Sequence, residues 1–191
     1  MATPSVNSGY VPLTEEDVDE AAARTEGGSQ SVGSRTFRWN GRQCTGTDLH
    51  CAALEGDASA AQLALDSQPG TVKARFTYET VFMGRVQEGS GEAIHRAASR
   101  GHVALVKLLM AGGANLSTCV TRSGKTHYDV LHGAMFAEGR GSHLTMIQYL
   151  LGAKAEMSKN LDGRFPLHIA YTTGNIPVIR LLRTYLVEAG V

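Results

Sequence analysis

Asp162-Gly163-Arg164-Phe165-Pro166-Leu167-His168-Ile169-Ala170 joins a glycine turn to a proline-started helix, with an aliphatic residue before a histidine and an alanine two places after it. The same register recurs three times upstream, at Thr47-Asp48-Leu49-His50-Cys51-Ala52, Glu92-Ala93-Ile94-His95-Arg96-Ala97 and Asp129-Val130-Leu131-His132-Gly133-Ala134. The histidines stand at 50, 95, 132 and 168, so the intervals are 45, 37 and 36 residues. Self-similarity at that period is the mark of a stacked repeat array, in which each unit buries its apolar face only against its neighbours.

Each block predicts two short helices joined by a glycine turn. The first starts near the threonine position, and the second places apolar residues at i, i+3 and i+4, as in Leu105-Val106-Lys107-Leu108-Leu109 and Val178-Ile179-Arg180-Leu181-Leu182. Gly56, Gly101 and Gly174 stand where the first helix must stop, the position that favours left-handed dihedrals. Ahead of the first block, Asn40-Gly41 inside Arg35–Gln43 predicts a hairpin turn, with Trp39 as a cover for the exposed end of the array.

This pattern resembles the ankyrin repeat, whose signature is T-P-L-H-x-A-A, then G-H, then an aliphatic V-x-x-L-L helix. The fourth block matches through Pro166-Leu167-His168, Gly174-Asn175 and Val178 to Leu182, the second through Gly101-His102 and Gly113-Ala114-Asn115, and the third through His143 and Leu150-Leu151. The first is the most divergent, with Gly56-Asp57 and the small-residue helix Ala60 to Leu65. The resemblance covers about residues 43–191. It implies an all-α solenoid of four helix-turn-helix repeats with projecting β-hairpin fingers over residues 35–191, while the Pro-, Gly- and acid-bearing stretch at 1–34 reads by its own composition as a flexible acidic tail with a short helix. It also implies that the recurring histidines tie down each turn, and no acidic or cysteine partner recurs beside them at a fixed offset to suggest a metal site.

Three places break the family's spacing. Phe76-Thr77-Tyr78-Glu79-Thr80-Val81-Phe82-Met83-Gly84-Arg85-Val86-Gln87 alternates like paired strands and lengthens the second finger. The third finger turns at Ser123-Gly124-Lys125, and Phe136 to Ser142 adds residues between the helices of the third block. For the second finger two readings compete: Tyr78 and Phe82 meet a partner, or the finger folds back over the Ala60–Leu65 helix.

At 191 residues with 42% hydrophobic residues, the chain supports one domain plus a tail. Net charge is zero, but residues 1–35 hold six acids against Arg24 and Arg35, which leaves +4 for the remainder. Thr14-Glu15-Glu16-Asp17 reads as a helix start, and residues 25–34 as a Gly/Ser linker. The neutral total argues against nucleic acid as the partner. Cys44, Cys51 and Cys119 are an odd, sparse set that suits a reduced intracellular, cytoplasmic setting, with the nucleus left open. No secretory signal or membrane-spanning run is apparent in the sequence. There is no phosphate loop, no metal-ligand set and no supported nucleophile–base pair, so no enzyme activity, cofactor or small-molecule substrate is expected.

The family's mode of action is protein recognition on the concave face of fingers and first helices. At its variable helix positions the expected partner-binding residues are Leu54, Glu55, Ser99, Arg100, Thr172 and Thr173. On the fingers they are Tyr78, Phe82, Arg122, Lys125, His127, Leu161 and Arg164. Two functions fit such a surface: a scaffold or adaptor subunit of a larger assembly, or a soluble inhibitor that occludes an enzyme.

Overall fold

The computed structural model describes residues 34–39, 42–82, 85–135, 143–160 and 162–190. The expected N-terminal tail and its helix from Thr14, the insertion at 136–142 and Leu161 lie outside the described residues, as do the side chains of Trp39 and Phe82.

The described chain runs β1 (Arg35–Trp39), β2 (Arg42–Gly46), α1 (Asp48–Glu55), α2 (Ala58–Ser67), a short 3-10 turn (Pro69–Lys73), β3 (Arg75–Phe82) and β4 (Arg85–Glu92). It continues with α3 (Ala93–Ser99), α4 (Val103–Ala111), β5 (Cys119–Arg122), β6 (Lys125–Asp129), α5 (Val130–Met135), α6 (Leu144–Gly152), α7 (Pro166–Thr172) and α8 (Ile176–Glu188). First helices stack in the order α1, α3, α5, α7, and second helices in the order α2, α4, α6, α8. Because the stack is one-dimensional, its core is continuous: Leu49, Ile94, Leu131 and Ile169 from the first helices join Leu65, Leu109, Leu150 and Leu182 from the second. The alanines of the motif make this possible. Ala53, Ala97, Ala98, Ala134 and Ala170 are all fully buried, and larger side chains there would hold adjacent helices apart.

The expected all-α class is corrected by the fingers. They do not project separately but join into one antiparallel sheet of six strands in the order β1-β2-β3-β4-β5-β6, so the architecture is mixed α/β. Cys44 and Thr45 of β2 pair with Tyr78 and Thr77, and Gly89 and Ser90 of β4 pair with Arg122 and Thr121. The physical reason is edge satisfaction: isolated hairpins would leave rows of unpaired N–H and C=O groups, and neighbouring fingers supply them. On the outer face Arg75 fastens the sheet across three strands. Its guanidinium donates to Ser90 Oγ, the Ser90 carbonyl and the Cys119 carbonyl, each at 2.9 Å.

The long second finger is a ladder of eight residue pairs, from Arg75↔Glu92 to Phe82↔Arg85. Pairing with the flanking fingers reaches Tyr78 on one side and Gly89 on the other, with one more bond from the Ser123 N–H to the Glu88 carbonyl at 2.7 Å, so residues 79–82 and 85–87 extend beyond them. Glycine on β4 gives the aromatic residues of β3 their room. A Cβ at Gly89 would lie 2.2 Å from the Tyr78 ring, and one at Gly91 would lie 3.0 Å from the Phe76 ring.

No described helix is long and apolar enough to cross a membrane.

Candidate protein-binding face

The repeated histidines form a ladder along the stack. His50 Nδ1 accepts from the Thr47 N–H at 3.0 Å, and its Nε2–H donates to the Ala74 carbonyl at 3.0 Å, just ahead of the next finger. His95 repeats this with the Glu92 N–H at 3.1 Å and the Thr118 carbonyl at 3.1 Å. His132 departs from it: its Nδ1 lies 2.9 Å from the Asp129 carboxylate and its Nε2 3.1 Å from the Arg164 carbonyl. In the last repeat His168 Nδ1 accepts from the Phe165 N–H, but the side chain is exposed and meets no carbonyl among the described residues.

A second ladder runs the other way. The imidazole of His102 lies over Gly56 and that of His143 over Gly101, glycines held at φ of 81° and 77°. Their Nε2 atoms donate back to the Leu54 and Ser99 carbonyls at 3.4 and 3.0 Å. Six of the seven histidines thus serve the two ladders or the cap of the last repeat. Only His127, on the third finger, stands outside them.

This ladder makes stability depend on acidity. Burial pushes His50 and His95 down to about 4, outweighing the backbone hydrogen bonds that favour the charged form. The unfolded chain takes up these protons near pH 6.5, whereas the folded one refuses them until about pH 4. Stability is therefore fully present above 6.5 and lost as pH falls through that window, by roughly 3 kcal/mol for each histidine at its lower end. Burial alone would raise Asp129, but its bonds with His132 and Ser158 hold it below the ordinary carboxylate range, so its contribution is lost only in more acidic solution. Urea midpoints should be level at neutral pH and decline between about pH 6.5 and 4; a flat profile across that window contradicts the ladder.

Where fingers meet first helices, the groove of repeats one and two is filled by the chain itself. Phe76 and Tyr78 are 1% and 3% exposed and stack with centroids 5.9 Å apart. Arg96 of α3, itself buried, lays its guanidinium 3.7 Å from the Phe76 ring centre, and its Nη2 is 3.7 Å from Cys44 Sγ. Phe37 and Leu54 close this cluster, which is separate from the one that takes in Ala61 and Leu65.

The residues expected to bind a partner are accordingly spread between two environments. Tyr78 is enclosed, Leu54 is half-buried against it, and Ser99 is buried with its hydroxyl donating to the Arg96 carbonyl. Glu55, Lys125, Arg164, Thr172 and Thr173 are exposed, and Arg100, Arg122 and His127 are half-buried. Thr172 and Thr173 turn their hydroxyls back onto the carbonyls of α7. Phe82 ends β3 opposite Arg85. The third finger brings Arg122, Lys125 and His127 together. Arg122 faces Lys125 across the hairpin, and its charge acts on His127, as does that of Asp162 from the fourth finger. Sequence reading missed Arg96, Cys44, Phe37 and the role of His102 and His143. The only available signal was that Arg96 and Cys44 each lie beside a motif alanine or turn, which singles out neither.

No group of three or more His, Cys, Asp or Glu residues that could hold a metal occurs among the described residues. Burial pushes the Cys51 thiol up to about 11 and also raises that of Cys119, so both are poor thiolate nucleophiles.

A stack of helix pairs, a histidine ladder between them and fingers along one side define a repeat module of the protein-interaction class. The Ankyrin repeat family model matches residues 93–121, which hold α3, α4 and the start of β5. The match bears out the ankyrin-repeat resemblance over the second of the four repeats. Among curated proteins it is 29% identical over 144 residues to the Probable E3 ubiquitin-protein ligase XBOS33 of Oryza sativa subsp. japonica, covering 74% of this chain and 24% of that protein. It is 30% identical over 144 residues to the E3 ubiquitin-protein ligase XBAT33 of Arabidopsis thaliana, covering 74% of this chain and 25% of that one. The chain spans about a quarter of the length of either relative.

Proposed function

We propose that this chain is a scaffold or adaptor subunit that holds a protein partner against its fingers and the concave ends of its first helices. The observation that carries this reading is the joined sheet of fingers: it presents Arg122 and Lys125, with Arg164 exposed in the loop before α7, cations paired with no acid among the described residues, from a framework already ordered by two histidine ladders. A surface with little order left to lose spends less of its contact energy on docking. The alternative, an inhibitor that occludes an enzyme, uses the same surface.

The names of the two relatives favour one setting for such an adaptor. In a ubiquitin-ligase assembly this segment would recognise the protein to be modified and leave the transfer chemistry to other parts. The raised Cys51 and Cys119 thiols are consistent with that division.

Purification of the tagged chain from its native cells at low and then high salt tests the proposal. A subunit is expected to stay with stoichiometric partners through the high-salt wash, whereas an inhibitor is expected to elute partly free. A chain that is free at both salt concentrations, with no cross-linked partner before lysis, refutes both.

A further inference from the structure

We propose that the inner face of the third finger, formed by Arg122, Lys125 and His127, docks an acidic extended segment of a partner protein; this refines, and rests on, the protein-interaction reading above.

Strand alternation places Arg122 on this face. Val120, two residues earlier, is fully buried and stands beside the Cβ position of Gly91, while Thr121 between them turns to the outer face and bonds Ser90 Oγ at 2.9 Å. Arg122 pairs in register with Gly89, whose missing side chain leaves the Tyr78 ring lying across it. It therefore emerges at the rim of the self-filled groove, where the concave face of the later repeats begins.

Three features mark the place as a receptor for carboxylates. Arg122 and Lys125 are directly opposed in the ladder, an arrangement that like charges make unfavourable, and neither has an ion pair among the described residues. Nε of Arg122 and Nδ1 of His127 are both shielded from solvent and have no hydrogen-bond partner among the described residues. A buried donor without an acceptor costs about 1–3 kcal/mol, which an incoming acceptor recovers at Arg122 Nε, and at His127 Nδ1 in the tautomer that carries its hydrogen there. Finally, His127 is the histidine that neither ladder uses, so the stack does not account for its place.

The sheet also distributes its acids unevenly. Glu79 and Glu88 oppose each other at the base of the projecting ribbon and, by alternation from the buried Tyr78, lie at register positions of the outer face, as does Glu92, which pairs with Arg75. On the outer face Arg75 is already engaged with Glu92, Ser90 and Cys119, whereas on the inner face Arg122 and Lys125 have no ion pair among the described residues, so an acidic chain is favoured there although Asp162 acts on His127. Carboxylates at alternate positions of an extended segment lie about 7 Å apart on one side, a spacing that matches successive cations at a hairpin end. Arginine takes a carboxylate through two parallel bonds, which gives Arg122 the leading part. A nucleic acid is disfavoured because the nearby glutamates repel a continuous phosphate chain, whereas a short acidic segment avoids them.

The test is selection of a random linear-peptide library on the purified full chain, with the Arg122→Gln/Lys125→Gln double variant as counter-target. Asp and Glu are expected to be enriched at alternating positions. A synthetic peptide of the selected sequence should bind the chain with an affinity that falls as salt rises and drops at least about tenfold in Arg122→Gln. If Arg122→Gln lowers the melting temperature, the exposed Lys125→Glu takes its place and should show the same loss. Enrichment without acids, no enrichment at all, equal binding by the variants, or displacement of the peptide by tighter-binding mixed-sequence RNA each overturns the proposal. The double variant also separates the two levels. If it retains its native partners in the salt-wash experiment, the acidic-segment site is wrong and the interaction module stands; if the wild-type chain has no partner there, the module itself falls.

Discussion

Phe76→Ala is expected to lower the stability of the isolated chain by about 3–5 kcal/mol, a large share of what a small domain has. The ring is 1% exposed and is touched from every side: Tyr78 stacks on it, His50 meets its edge at 5.5 Å, Phe37 approaches at 6.5 Å and Arg96 covers its face at 3.7 Å. Truncation therefore opens a cavity and leaves a buried guanidinium without the electron-rich surface that helps to hold it. It also loosens the joint between the first two fingers, because Tyr78 is the β3 residue that pairs with Cys44 of β2. Leu63→Ala on α2 is the control. That side chain is 69% exposed, and its removal should change stability by no more than about 0.5 kcal/mol. Urea unfolding of the two variants beside the parent decides the matter. Equal midpoints for Phe76→Ala and the parent would mean that the finger does not pack on α3.

His95→Ala is expected to cost about 3 kcal/mol, whereas His168→Ala should cost under about 1, although both residues occupy the same place in the motif. The difference follows from what each leaves behind. His95 is 3% exposed, and without it the Glu92 N–H and the Thr118 carbonyl lose their partner in a dry junction between two repeats. His168 is exposed and has only the Phe165 N–H, which water can satisfy. Thermal or urea unfolding measures both, and partner capture by the fraction of His95→Ala that remains folded should be unchanged. Equal losses at the two positions would show that the motif acts within its own turn and not between repeats.

Several elements were legible because their signals are local. Leu, His and Ala at a fixed spacing specify a helix start whatever lies around it, and α1, α3, α5 and α7 begin within a residue or two of the expected places. Gly56, Gly101 and Gly174 have the left-handed dihedrals that their position in the motif requires. The long second finger was legible too, since alternation from Phe76 to Gln87 has no helical reading. The projecting hairpins were expected one by one, yet their union into a single sheet was not. Pairing between β2 and β3, or β4 and β5, depends on the height at which each finger stands on the stack, and no stretch of sequence encodes that height alone.

The candidate site shows the same division. Arg122 and Lys125 could be expected on a finger from the Ser123-Gly124 turn between them, because hairpin register follows from the turn. Tyr78 could be assigned to a strand, but whether it meets a partner or the protein's own interior was a question of distance from α3. Arg96 is charged, and nothing adjacent to it in the chain explains its burial. The neighbours that enclose it, Phe76 and Cys44, lie 20 and 52 residues away.

The repeat is written in the chain: its period, its helices, the turns between them and the histidine that closes each one are all set by dihedral preference and by contacts within a few residues. The surface is written in the packing: which aromatic residues fill the groove, which cations are left at its rim, and how separate fingers become one sheet. Local chemistry selects a backbone conformation residue by residue. Burial and charge pairing are properties of neighbours, and in a stack those neighbours come from the next repeat.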